Sequence, residues 1–115
     1  MSIVQTVNVE ADWPSLDEAR RRVIKEIRRA RREGVAVLKV IHGFGSSGKG
    51  GKLCLGLRKS FRLRKKEGVI KDFVAGEDFS IFDTTTLALL DSVPVLRHDP
   101  DLNLTNEGVT LLWLR

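Results

Sequence analysis

Apolar positions along the chain fall into six stretches, and their periods assign the elements. Ile3 to Val9 alternates in part and is rich in β-branched residues, which predicts a first strand because side chains alternate across a strand with a period of two. Leu16, Ala19, Val23, Ile27 and Ala30 recur at spacings of three and four, so a helix over about Leu16 to Glu33 gathers them into one stripe. Its start is marked by Ser15 with Glu18 three residues on, a capping box that satisfies two otherwise unpaired backbone donors. Gly34 stands where a left-handed C-terminal cap is wanted. Val35 to Ile41 is a nearly continuous apolar run broken only by Lys39, which predicts a central strand buried on both faces. Leu53, Leu57 and Phe61 at four-residue spacing predict a second helix ending near Gly68. Val69 to Val74 and Val109 to Leu114 read as a third and a closing strand. Between these last two the chain is irregular, with a short helix expected over Thr84 to Leu90 and a short extended piece over Ser92 to Leu96.

This order predicts an α+β fold. Two helices, each with one apolar stripe, cover one face of a four-stranded mixed sheet in a two-layer sandwich of β-α-β-α-β-β order. At 115 residues the expectation is one domain over 1-115, with residues 76-107 as an insert. An apolar share of 42% is too high for a disordered chain. The start lacks a basic stretch followed by an apolar segment, and no window approaches the ~18 apolar residues of a membrane span. The expected location is therefore cytoplasmic, with no membrane partner. Cys54 is the only cysteine, which excludes an internal disulfide and a multi-cysteine zinc site and predicts a small buried packing residue.

Charge divides the chain unevenly. Residues 1-75 carry a net +10 and residues 76-115 a net −5, so a polyanion is the expected partner of the first two thirds. The first helix interleaves its arginines with Glu26 and Glu33, which predicts a solvated face with partial ion pairing. From Lys49 to Lys66 there are eight basic residues and no acidic one. Such a face has no internal partners, and a phosphate backbone relieves its repulsion. Lys52, Arg58, Lys59 and Arg62 are the expected contacts.

Between the buried strand and this helix, Gly43, Gly45, Gly48, Gly50 and Gly51 surround Ser46, Ser47 and Lys49. Glycines at a helix N-terminus let backbone N–H groups face an anion, and Lys49 and Lys52 add two ammonium groups. The stretch also matches GxxxxGK, the nucleotide-binding P-loop, but Gly50 replaces the Ser or Thr whose hydroxyl binds magnesium. Two further groupings have a bland reading beside a functional one. His98, Asp99 and Asp101 can ligate a metal, but acids in a Pro-containing loop commonly cap turns. Trp13 and Trp113 can stack on bases, although Trp113 in an apolar strand reads as core.

The run Val40-Ile41-His42-Gly43-Phe44-Gly45 resembles the HGxG signature of the Smr family, placed as in that family between the second strand and second helix. The helix beginning at Ser15 and Glu107-Gly108-Val109-Thr110 are similar to family features as well. The resemblance implies a fold similar to the C-terminal domain of translation initiation factor three, together with DNA or RNA binding. Some members are nicking or RNA endonucleases. The family's D-L-H-G motif falls on Glu10-Ala11-Asp12-Trp13, where Asp12 replaces the histidine and Trp13 the glycine. On the nuclease reading, His42, Glu10 and Asp12 would supply a base and ligands to a divalent metal if they converge; no other cofactor is implied. His42 also has a plainer reading, as a histidine that orients the loop through backbone bonds. Three functions follow: a nucleic-acid-binding module, a structure-selective endonuclease, and a protein-interaction module docking through its acidic segment.

Overall fold

A computed structural model describes residues 3-44 and 49-115, with Lys49 and Gly50 described by backbone alone. The chain forms β1 (Val4–Asn8), α1 (Leu16–Arg32), β2 (Val37–Ile41), α2 (Lys49–Lys66), β3 (Asp72–Ala75), α3 (Thr84–Ser92) and β4 (Val109–Trp113), with 3-10 turns at Gly76–Asp78 and Pro94–His98. The sheet order is β1-β2-β4-β3. β1 runs parallel to β2, while β4 runs antiparallel to both β2 and β3. The two nearly continuous apolar runs, β2 and β4, are thus the central strands.

Local signals act where they were expected. Ser15 accepts from Glu18 N–H at 3.2 Å and the Glu18 side chain caps in return. Gly34 takes φ +76° just past α1, a conformation that costs a residue with a β-carbon. Leu38, Val40 and Leu112 on the sheet pack against Ala19, Val23 and Ile27 of α1 and Leu57 and Phe61 of α2. Each fully buried Leu, Ile or Phe contributes about 1.5–3 kcal/mol.

The acidic segment departs from the two-layer expectation. Its Phe79, Leu89, Leu90, Val93 and Leu96 form a second core on the opposite face of the sheet, against Val37, Val74, Leu111 and Trp113. A strand buried on both faces needs a cover on each, and α3 with the second 3-10 turn supplies the other one. Asp83 starts α3 by accepting from Thr86 N–H and Thr86 Oγ1, each at 2.8 Å. The piece expected to be extended over Ser92 to Leu96 is instead a 3-10 turn, which Pro94 opens with its fixed φ and which turns Leu96 inward. β3 also starts later than expected: Ile70 is buried before the strand begins, in the layer under α2.

Lys39, the one polar residue of its run, is explained by the same cover. Its ammonium is buried between Asp99, 2.8 Å away, and Asp101. Burial disfavours the charged lysine, but the two aspartates together outweigh it and hold the lysine above its usual pKa. The turn around Asp99 and Asp101 therefore ligates a lysine, and among the described residues no group of three or more metal-ligating side chains is assembled. Likewise, no described helix is long and apolar enough to cross a membrane.

Candidate nucleic-acid interface

His42 directly follows β2 and turns its ring into the protein, where it is fully buried. Its Nδ1 lies 2.8 Å from the Gly43 carbonyl and its Nε2 2.9 Å from Thr110 Oγ1. A carbonyl only accepts, so Nδ1 carries the proton and Nε2 accepts from the threonine hydroxyl. Thr110 in turn accepts from Arg58 Nε at 3.4 Å. The Arg58 guanidinium pairs with both carboxylate oxygens of Glu77, at 2.5 and 2.6 Å, and donates to the carbonyls of Glu107 and Val109. A chain of bonds therefore runs from the Gly43 carbonyl through His42, Thr110 and Arg58 to Glu77 in the acidic segment.

The same corner is tied by backbone bonds. The N–H groups of His42 and Gly43 both donate to the Gly108 carbonyl, each at 3.0 Å. Gly43 has φ +74°, and a β-carbon there would lie 2.1 Å from Glu10 Oε2. The positive φ favours glycine, while a β-carbon would only require the flexible Glu10 carboxylate to move aside. Beside it a cleft of about 490 Å³ is lined by Glu10, Phe44, Asn106 and Glu107 among others. Cys54 is buried nearby, 3.7 Å from the Glu107 carbonyl, with its thiol pushed up by burial.

His42 is held below its ordinary pKa, first by burial and then by the Arg58 charge, against the opposing Gly43 bond and Glu77. A histidine that is neutral when folded must bind a proton more readily unfolded, so its contribution is whole above about pH 6.5 and shrinks as the pH falls below that value. The melting temperature is expected to decline between pH 7 and pH 5, and His42→Asn, which cannot titrate, should flatten that part of the profile. A profile equally steep in the variant would remove His42 as the cause.

The Glu10 carboxylate borders the cleft beside Gly43, whereas the His42 ring is fully buried. Asp12 stands exposed in the preceding turn at φ +65°. No hydrogen bond or ion pair links Asp12 to either of them among the described residues. Gly45, Ser46, Ser47 and Gly48 lie outside the described residues, as does the Lys49 side chain, so the expected anion loop is described only at its ends. The helix already begins at Lys49, which places Gly50 and Gly51 in its first turn rather than in the loop.

The basic surface differs from the expected one in two places. Arg58 does not face solvent: it is buried and engaged by Glu77 and two carbonyls, which withdraws it from the expected phosphate contacts. Lys52, Lys59 and Arg62 are exposed as expected, and Lys66 joins them. On α1 the acids do not neutralise the face. Glu26 and Glu33 both pair with Arg29, and Asp17 pairs with Arg20. Arg21, Lys25, Arg28 and Arg32 remain exposed around Ile24 as one outward stripe, with no ion-pair partner among the described residues. The two helices are neighbours, with Leu16 packed on Gly56 and a groove between them lined by Arg28 and Arg64. The bonding role of Thr110 and the part played by Glu77 escaped the sequence reading. A lone threonine in an apolar strand was the available signal for the first, and nothing local distinguished the second.

No family model and no curated protein matches this chain. Among solved structures, the crystal structure of the Smr domain of Thermus thermophilus MutS2 is similar, with a TM-score of 0.61 and 21% identity over 96% of this chain and 98% of that one. At that identity the likeness concerns the fold, and the fold is that of an Smr domain.

Proposed function

From a chain with the fold of an Smr domain we propose a nucleic-acid-binding module, acting as one domain, whose contact surface is the joined outer face of α1 and α2. The observation that carries this reading is the pair of exposed basic stripes without ion-pair partners among the described residues: Arg21, Lys25, Arg28 and Arg32 on one helix, and Lys52, Lys59, Arg62 and Lys66 on the next. Residues four and three apart on a helix rise about 6 and 4.5 Å, so the α1 stripe spans roughly 16 Å. That length and sign suit the evenly spaced charges of a phosphate backbone. The expected anion-binding glycines precede and open α2, which begins at Lys49, and would add backbone donors at that helix start. Binding rather than hydrolysis is the activity proposed, because both His42 nitrogens are occupied and a general base needs one free.

The test is affinity for DNA and RNA measured by anisotropy over a range of salt. If five or six phosphates are met, the log–log slope on duplex DNA is expected at roughly −4.5 to −5.5. Salt-insensitive binding, or none, would remove the reading. Nicking of supercoiled DNA or cleavage of structured RNA with a divalent metal, abolished by His42→Ala, would replace it with an endonuclease.

A further inference from the structure

The turn before α1 presents a feature that phosphate binding does not use. Trp13 is 75% exposed, with its backbone in the left-handed region at φ +51° and its N–H donating to the Glu10 carbonyl at 3.2 Å. Asp12 beside it is left-handed too. A bulky side chain in that region is strained, and the exposed indole recovers nothing by burial. The indole borders an open groove of about 790 Å³, which runs between the start of α1 and the start of α2 and is lined by Leu16, Leu53, Leu55 and Lys52. Leu55 is 69% exposed as well. Glu18 also borders the groove, but its carboxylate is held by the Ser15 backbone and hydroxyl in the capping box. The groove is thus a flat aromatic face and an apolar floor with an exposed ammonium at the rim, at one end of the basic surface.

We propose that Trp13 and Lys52 form a stacking clamp for an unpaired nucleobase, with the indole on the base and the ammonium on its phosphate. This rests on the nucleic-acid reading above and narrows it to a strand with free base faces: a single strand, a flap or a junction. Aromatic stacking is sequence-tolerant because every base has a π-face. A closed duplex offers none, since its bases are stacked on one another. Lys52 stands on the first turns of α2, and its charge suits the phosphate that a stacked base brings with it.

Trp13 and Trp113 are the two tryptophans, and Trp113 is buried, so acrylamide-accessible emission reports Trp13. The full chain is titrated with a 12-nucleotide oligo(dT) and with a dumbbell duplex of equal phosphate count whose ends are closed by non-nucleotide linkers, so that it carries no unpaired base. The single strand is expected to quench the accessible emission by more than half and the dumbbell to leave it unchanged. Trp13→Ala should weaken oligo(dT) about tenfold without altering dumbbell affinity or either salt slope, and Trp13→Phe should restore part of the loss. Trp13→Gly keeps the left-handed backbone and should melt a few degrees higher than the parent, so its loss of oligo(dT) affinity cannot be ascribed to unfolding. Tight binding of both ligands with Trp13 still open to acrylamide would overturn the clamp and leave the binding module intact. Binding of neither would remove both. Protection of Trp13 that grows with protein concentration alone would assign the groove to a second copy of the chain and overturn the clamp.

Discussion

Glu77→Ala is expected to cost about 3 kcal/mol of stability and to lower the melting temperature by roughly 12 °C. The reason is what the substitution leaves behind. Arg58 is buried, and without Glu77 its guanidinium keeps only Thr110 Oγ1 and two backbone carbonyls. A buried charge without its counterion is among the most costly defects a fold can carry. Arg58→Ala should cost less, about 2 kcal/mol, because Glu77 is a third exposed and can recover solvent. The double variant should be milder than the sum of the two, with a coupling of at least 1 kcal/mol, since each single change strands the other's partner. Strict additivity in thermal melts, or a shift under about 3 °C for Glu77→Ala, would show that the pair does not bear on the fold. Arg58→Ala should also leave the salt dependence of nucleic-acid binding as it was, which separates it from the exposed basic residues one turn away.

Those exposed residues carry the second expectation. Replacing Arg21, Lys25, Arg28 and Arg32 together by Ala should weaken duplex binding on the order of 100-fold at 0.1 M salt and bring the log–log slope from about −5 to about −2. Each phosphate contact contributes close to one unit of slope, and three or four contacts are removed. Replacing Lys52, Lys59 and Arg62 should act in the same direction and to a similar extent. The losses should be alike across sequences, because phosphate contacts carry little base information. None of these side chains is engaged in an ion pair among the described residues, so stability should change by less than about 0.5 kcal/mol. If the α1 variant binds as the parent does and the α2 variant alone fails, the footprint contracts to one helix.

The α1 stripe shows where one-dimensional reading of charge stops. Interleaved acids along a sequence suggest a neutralised face, but on the helix Glu26 and Glu33 both lie within reach of Arg29. One arginine thus absorbs two acids, and four other cations are left without them. The reverse holds for Arg58. In the sequence it belongs to a run of eight basic residues with no acid, and its counterion comes from Glu77 after a further strand. Linear proximity ranks pairs by separation along the chain, whereas Coulomb interaction and burial depend on separation in space.

What was legible before folding is what depends on neighbours within a turn or two. The helix stripes, the capping box at Ser15, the left-handed cap at Gly34 and the buried character of β2 and β4 all follow from local periodicity and backbone preference, and the sheet-and-two-helix arrangement follows from them. The long-range meetings were not legible: α3 closing the second face of the sheet, Lys39 between Asp99 and Asp101, and the line from Gly43 through His42, Thr110 and Arg58 to Glu77. Beyond the adjacent Gly43–His42 bond, the side-chain bonds among them join residues from 19 to 68 positions apart. Their partners are chosen by which strands lie side by side and which face is left uncovered, and those conditions exist only once β4 has inserted between β2 and β3.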